Sequence, residues 1–386
     1  MKIFAAALGL ILGGIANQAM AACNAISPNP NPAGNTITNS SATGCYQGPF
    51  NNLGTLNNEG TLAENVGVLN NGGTLNNSGT LDHRGLNNDG VLNNSGQLYT
   101  SSPGNSVHNG LSGTMNNSGQ LTNFGAALNE GTLNNSGKLF NPADVIDNKG
   151  VLVNSGTIQS TGSITNSGKF LNYGTVTNGG TNNGFYSQTG GTTLVDGSLT
   201  QLRITVSGGI LQGNGTVNGL SRGGPGISID GGTVNSGGLG HSAGTLTMTG
   251  KFNFNSGVLA TDIAGTGAGQ FDLLRLTDQA SFAAGSLQFS FLNGYLPDVG
   301  DKWLFLTAAG GITGWETLSR AFLGVPDNYL FDITAANGGL VLEVAAVPEP
   351  ETWALMAVGL ALVAFRVQRN KSSISSSRLD VSLSHG

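Results

Sequence analysis

Charge is scarce in this sequence: only 9% of its 386 residues are Asp, Glu, Lys or Arg, against about 25% in an average soluble domain. The 15 basic residues are spread thinly, so no face is basic enough to neutralise phosphates and no nucleic-acid partner is expected. Two cysteines without a Cys-x-x-Cys spacing or clustered histidines give no zinc framework. No Gly-rich segment ends in Lys-Ser or Lys-Thr ahead of a helix, which removes the phosphate-cradling loop, and no cofactor is expected. The 63 glycines fall short of one residue in three and lack a three-residue period, so collagen is excluded. With a net charge of −6 and ordinary aliphatic content, the chain can bury apolar surface and is expected to fold.

What the sequence does contain is one phrase said many times. Leu56-Asn-Asn-Glu-Gly60, Leu75-Asn-Asn-Ser-Gly79, Leu92-Asn-Asn-Ser-Gly96, Met115-Asn-Asn-Ser-Gly119 and Leu133-Asn-Asn-Ser-Gly137 are copies, with drifted versions at Leu152 and Ile164. Several neighbours stand six residues apart, and Met115 to Leu133 spans three such units, which predicts coils of about 18 to 20 residues with three faces. Thr and Leu favour a short strand with Leu inward and Thr outward. Gly and Asn tolerate positive φ and are expected to turn the chain. One coil cannot bury its Leu alone, but stacked coils place Leu on Leu and let Asn amides bond in ladders at about 4.8 Å. The expected fold is therefore all-β: a right-handed parallel β-helix of roughly ten coils over 51–250. Residues 22–50, with Pro28, Pro30 and Pro32, suit an N-terminal cap, and the longer, more aromatic strands of 251–346 suit a C-terminal β cap.

The two ends carry addresses. Met1-Lys2, the apolar run Ile3–Ile15 and Ala19-Met20-Ala21 form a cleavable Sec-type signal peptide over 1–21, with the mature chain starting at Ala22. Export leads to an oxidising compartment, where Cys23 and Cys45 are expected to close a disulfide; lipidation of Cys23 would leave Cys45 without a partner. At the other end Val347-Pro-Glu-Pro350 precedes the apolar run Trp353–Phe365 and then Arg366, Arg369 and Lys371. At about 13 residues the run is a marginal membrane span, with its basic end held in the cytoplasm.

This end resembles the PEP-CTERM sorting signal, with Pro348, Glu349, Pro350, Trp353, Arg366 and Arg369 in its places. The resemblance covers 347–371 and implies an exosortase-type membrane enzyme as partner, a Gram-negative host making exopolysaccharide, a transient inner-membrane anchor, and a surface or matrix destination. The Ser-rich tail 372–386 departs from the family, whose members usually stop soon after the arginines. Gly213–Gly219, Gly240–Gly250, Gln270–Leu276 and Leu292–Tyr295 are similar to the end of autotransporter-type passenger β-helices. The family's Pro-Gly-Asn-Ser is here Leu239-Gly-His-Ser242, and self-transport is not expected.

Chemistry-bearing residues are few. Asp82-His83-Arg84 gathers an acid, a base and a cation in one coil, with Asp89 on the next turn, and is the weak ligand or catalytic candidate. Gly223–Asp230 lacks the acid that a calcium nonapeptide needs, His241 stands alone after a Gly-rich turn, and Asp272 lies beside another. Thr55, Thr61, Thr74, Thr80, Thr114, Thr132 and Thr157 share the slot after Gly and are expected to form an outward hydroxyl lattice, suited to polysaccharide or ice. The sequence is read as a non-enzymatic surface or matrix protein associated with exopolysaccharide or biofilm, with no catalytic or metal residue. A polysaccharide-active β-helix enzyme is the runner-up, and ice binding the third reading.

Overall fold

The computed structural model describes residues 23–46, 48–64, 67–100, 106–179, 183–221, 223–346 and 350–375. The expected signal peptide, Pro348, Glu349 and the end of the Ser-rich tail lie outside them.

Short strands dominate because each repeat is a four-residue strand followed by a two-residue turn. Thr55–Asn58, Thr74–Asn77 and Thr132–Asn135 alternate half-buried and buried, with Leu inward and Thr outward. Each coil folds three such strands into three faces. Thr55–Asn58 lies on the first face, Thr61–Glu64 on the second and Leu69–Asn71 on the third, before Thr74–Asn77 returns to pair in parallel with Thr55–Asn58. The result is a β-solenoid of about ten turns. Leu stacks on Leu in register, as in Leu56, Leu75 and Leu92, and each is fully buried. A buried Leu contributes about 1.5–3 kcal/mol, and three per coil give the stack its core.

The second Asn of each pair also points inward. Asn39, Asn58, Asn77, Asn94, Asn117, Asn135, Asn154 and Asn172 form a column at the corner between the first and second faces. Each Nδ2 donates to the Oδ1 of the next coil at 2.7–2.8 Å. A matching column runs from Asn31 to Asn166 at the corner between the third and first faces. The second N–H of these amides reaches a backbone carbonyl of the next coil, as from Asn58 to Thr80 at 2.9 Å. Buried polar groups are tolerated only when so paired.

The repeat glycines have a different reason from the one expected. Positive φ occurs at Gly34, Gly191, Gly209 and others, but not at Gly60, Gly79, Gly96, Gly119 or Gly137. A Cβ on any of these five would lie 2.0–2.2 Å from the backbone carbonyl oxygen one coil earlier. Glycine is required because stacked turns approach closely, not because the chain reverses hand.

Along the Asn column, coil length varies from 17 to 23 residues. Most of that variation falls at the third corner, between the second and third faces. There Thr80–His83 reaches Leu86 through two residues, while Lys138–Asn141 needs four to reach Ile146. From Asn58 to Thr175 every turn between the first and second faces has two residues. The Asn column at that corner explains the difference, since its amide bonds to the following strand hold the turn to one length. At the third corner the inward slot holds His83, Thr100, Asn123, Asn141 and Ser160, so no uniform column disciplines it.

Parallel stacking continues past residue 250, through Phe252–Ile263, Ser286–Phe291 and Ser319–Leu323. The change in texture at Lys251 therefore marks a change of core filling, to Phe252, Phe254, Phe289, Phe291 and Trp303, rather than the end of the stack. The end is the antiparallel pair Leu330–Ala336 and Gly339–Ala345, laid on Lys302–Ala308. At the other end Cys23 and Cys45 are disulfide-bonded with Cα atoms 5.7 Å apart, and Thr36–Asn39 already forms a rung of the first face.

Candidate functional site

Pro350–Ser375 is the one helix longer than a turn among the described residues. Proline suits its first position, where an N–H would be unpaired anyway. Leu355, Met356, Val358, Leu360, Leu362, Val363 and Phe365 are all exposed, so their apolar surface packs on nothing in the rod. Arg366 follows immediately, and Arg369 and Lys371 share the same helix. Among the described residues no helix is long and apolar enough to cross a membrane. The 13 residues from Trp353 to Phe365 rise roughly 20 Å as a helix, against a hydrocarbon core of about 30 Å.

The strand alternation that builds the rod separates Asp82, His83 and Arg84. Asp82 is half-buried on the outer surface, His83 is fully buried in the core slot and Arg84 is exposed on the turn. Asp89 sits at the corner between the third and first faces, away from the second face that carries Asp82. No ligand can meet this trio at once. His83 stacks in register with Thr100, and neither ring nitrogen has a hydrogen-bond partner among the described residues. Desolvation pushes its pKa down to about 3, so it is held neutral. The sign follows from linkage: unfolded His binds its proton near pH 6.5, so the His83 contribution is complete above that pH. It is lost progressively as pH falls toward 3, by up to about 5 kcal/mol. His83→Asn, which puts the residue of Asn123 and Asn141 into the same column, is expected to flatten this acid slope. Urea midpoints of the two proteins between pH 7 and 4 measure it.

A cluster that sequence inspection did not assemble lies farther along. His241, in a loop of the segment Gly237–Gly244 and at φ 61, places Nδ1 2.9 Å from Asp262 Oδ2. Asn235 Nδ2 donates to the same oxygen at 3.3 Å. Asp272 accepts from the backbone N–H of Gly244 and of Asp262, each at 2.9 Å. Asp262 and Asp272 are buried, while the His241 side chain is 68% exposed. Burial, opposed by those two backbone N–H groups, raises the Asp272 pKa to about 7. Asp262 and Asp272 face each other across a short loop closed by the antiparallel bridge Ile263 to Phe271, and adjacent coils bring His241 and Gly244 to them from 21 and 28 positions away. Chemically the arrangement is a carboxylate-oriented imidazole above a second carboxyl that staples the loop.

The surface slots are divided by the three faces. Thr55, Thr74, Thr114 and Thr132 share the first face, with Val91 interrupting them, whereas Thr61, Thr80 and Thr157 stand on the second. The expected single hydroxyl lattice is thus two broken ranks, because consecutive six-residue units turn through a corner. No group of three metal-binding side chains is found among the described residues. A shallow depression is bounded by Ile312 and Ala335–Gly339, and an apolar gap inside the stack lies between Ala127 and Met115; neither is lined by an ionisable residue.

Residues 346–370 match the PEP-CTERM protein-sorting motif. Such a signal implies an exported protein sorted by an exosortase, with transient anchoring through its C-terminal region. A search of curated proteins finds no match to the chain.

Proposed function

We propose, from a chain that carries a PEP-CTERM motif after a long β-solenoid, that this protein is a non-enzymatic scaffold of the cell surface or extracellular matrix, associated with exopolysaccharide or biofilm. The Sec-type signal exports it, the apolar helix holds it in the inner membrane, and an exosortase-type enzyme releases it to the exterior. The observation that carries this reading is the outer surface of the rod: repeated Thr, Ser and Asn, presented on successive rungs over a core of stacked Leu. A repetitive neutral surface favours many weak, equivalent contacts over one tight one.

Replacing Arg366, Arg369 and Lys371 by Gln is expected to move the chain from the surface fraction to the inner-membrane or periplasmic fraction. Immunoblots of fractionated cells, with mass spectrometry of the mature C terminus, check this; unchanged distribution and processing would sink the sorting role. The enzyme reading rests on the His241–Asp262 pair, and a reducing-end assay on the native exopolysaccharide separates the two. A scaffold creates no new ends, whereas new ends that vanish in His241→Ala would establish a polysaccharide-cleaving enzyme.

A further inference from the structure

One face of the rod differs from the other two. The rungs of the first face that begin at Thr36, Thr55, Thr74, Val91, Thr114, Thr132 and Val151 carry no ionisable outward residue, and Lys169 is the first to do so. The second face has Asp82 and Lys138 among its outward positions, and the third has His108 and Asp147. Along the neutral face Asn57, Asn76, Asn93, Asn116 and Asn134 form an outer amide ladder. Each Nδ2 donates to the Oδ1 one coil earlier at 2.8–2.9 Å. An amide has two N–H donors and two acceptor lone pairs, so every inner member of this ladder keeps one of each unspent toward solvent.

We infer that the first face, from Thr36 to Asn154, is a lateral self-association surface whose partner is a second copy of this chain. Two observations select that partner. The free donors and acceptors alternate on one surface, so the face is complementary to itself and suits an isologous, closed pair. They also recur at the rung spacing of about 4.8 Å. A second solenoid repeats at the same interval and stays in register over seven rungs, whereas a chain with another repeat loses register after a few. Seven rungs of four residues, each about 13 Å wide and about 4.8 Å apart, offer roughly 440 Å², about half the 800 Å² per partner of a standard interface. Charges would be desolvated in such a contact, and the face has none. The pairing is therefore weak between free rods and is reinforced where many rods are held side by side.

The test uses the full chain in mild detergent. Its native cysteines are bonded to each other, so an added cysteine is the single free thiol. Asn93→Cys is expected to give a covalent dimer on mild oxidation, while Gln120→Cys on the second face gives at least about tenfold less. The double variant Asn76→Asp, Asn116→Asp should raise the concentration for half-dimerisation in sedimentation at least about tenfold, by like-charge repulsion. Mixing it with Asn76→Lys, Asn116→Lys should restore association between the two, with circular dichroism unchanged in both. Equal cross-linking from both faces, dimerisation indifferent to the Asp pair, or no rescue on mixing would each overturn the assignment. An association driven by the apolar helix alone gives the first two results.

Discussion

Asn94→Ala lowers the stability of the rod by about 3 kcal/mol, whereas Asn93→Ala, one residue earlier, changes it by less than about 1 kcal/mol. Both side chains are amides in a ladder, so counting hydrogen bonds does not separate them. Burial does. Asn94 is 1% exposed, accepts from Asn77 at 2.7 Å, and donates to Asn117 at 2.7 Å and to the Gln120 carbonyl at 3.1 Å. Its removal strands a donor on Asn77 and acceptors on Asn117 and Gln120 inside the core, and an unsatisfied buried group costs about 1–3 kcal/mol. Asn93 bonds to Asn76 and Asn116 at 2.8 Å on the outside, where water replaces the lost partner. Urea unfolding followed by circular dichroism measures both. Equal losses would show that the inner column is not what holds the corners.

Gly73→Ala is expected to destabilise the stack by about 3 kcal/mol, while Gly72→Ala in the same turn is neutral or slightly stabilising. A Cβ on Gly73 would stand 2.1 Å from the Gly54 carbonyl oxygen and 2.7 Å from the carbonyl carbon of Leu53. Those are backbone atoms of the coil below, so the coils must separate or shear. A Cβ on Gly72 meets the Leu53 Cδ2 at 3.3 Å, a flexible tip that turns aside, and nothing else closer than 3.9 Å. Neither glycine has positive φ, so conformational preference cancels in the comparison and close approach remains. Thermal midpoints of the two variants decide it; similar values would refute the stacking explanation.

Much of this architecture was legible in the repeat. The six-residue spacing of Leu and the absence of helical periodicity led to three-faced coils, and Thr out with Leu in followed from strand alternation. The inner Asn column was within reach of the same rule, since two residues after an inward Leu the next inward slot falls on the second Asn. The sequence reading expects Asn ladders but does not place one of them inside, because Asn-Asn-Ser-Gly also reads as a turn, and turn chemistry stops the alternation one residue early. His83 illustrates the same point: it occupies the inward slot two residues after Leu81, which removes it from any site shared with Asp82 and Arg84.

Other features had no local signal. His241 meets the Asp262–Asp272 loop only because one coil lies on the next, and the division of threonines between two faces depends on where each corner falls. Composition and periodicity, being properties of neighbours along the chain, sufficed for strand, turn and inward Leu, and the sorting motif was legible by its resemblance to a known signal. The distance between stacked backbones, the fate of each amide and the neutrality of one face belong to neighbours some 17 to 23 positions away, and arise only once the coils lie on one another.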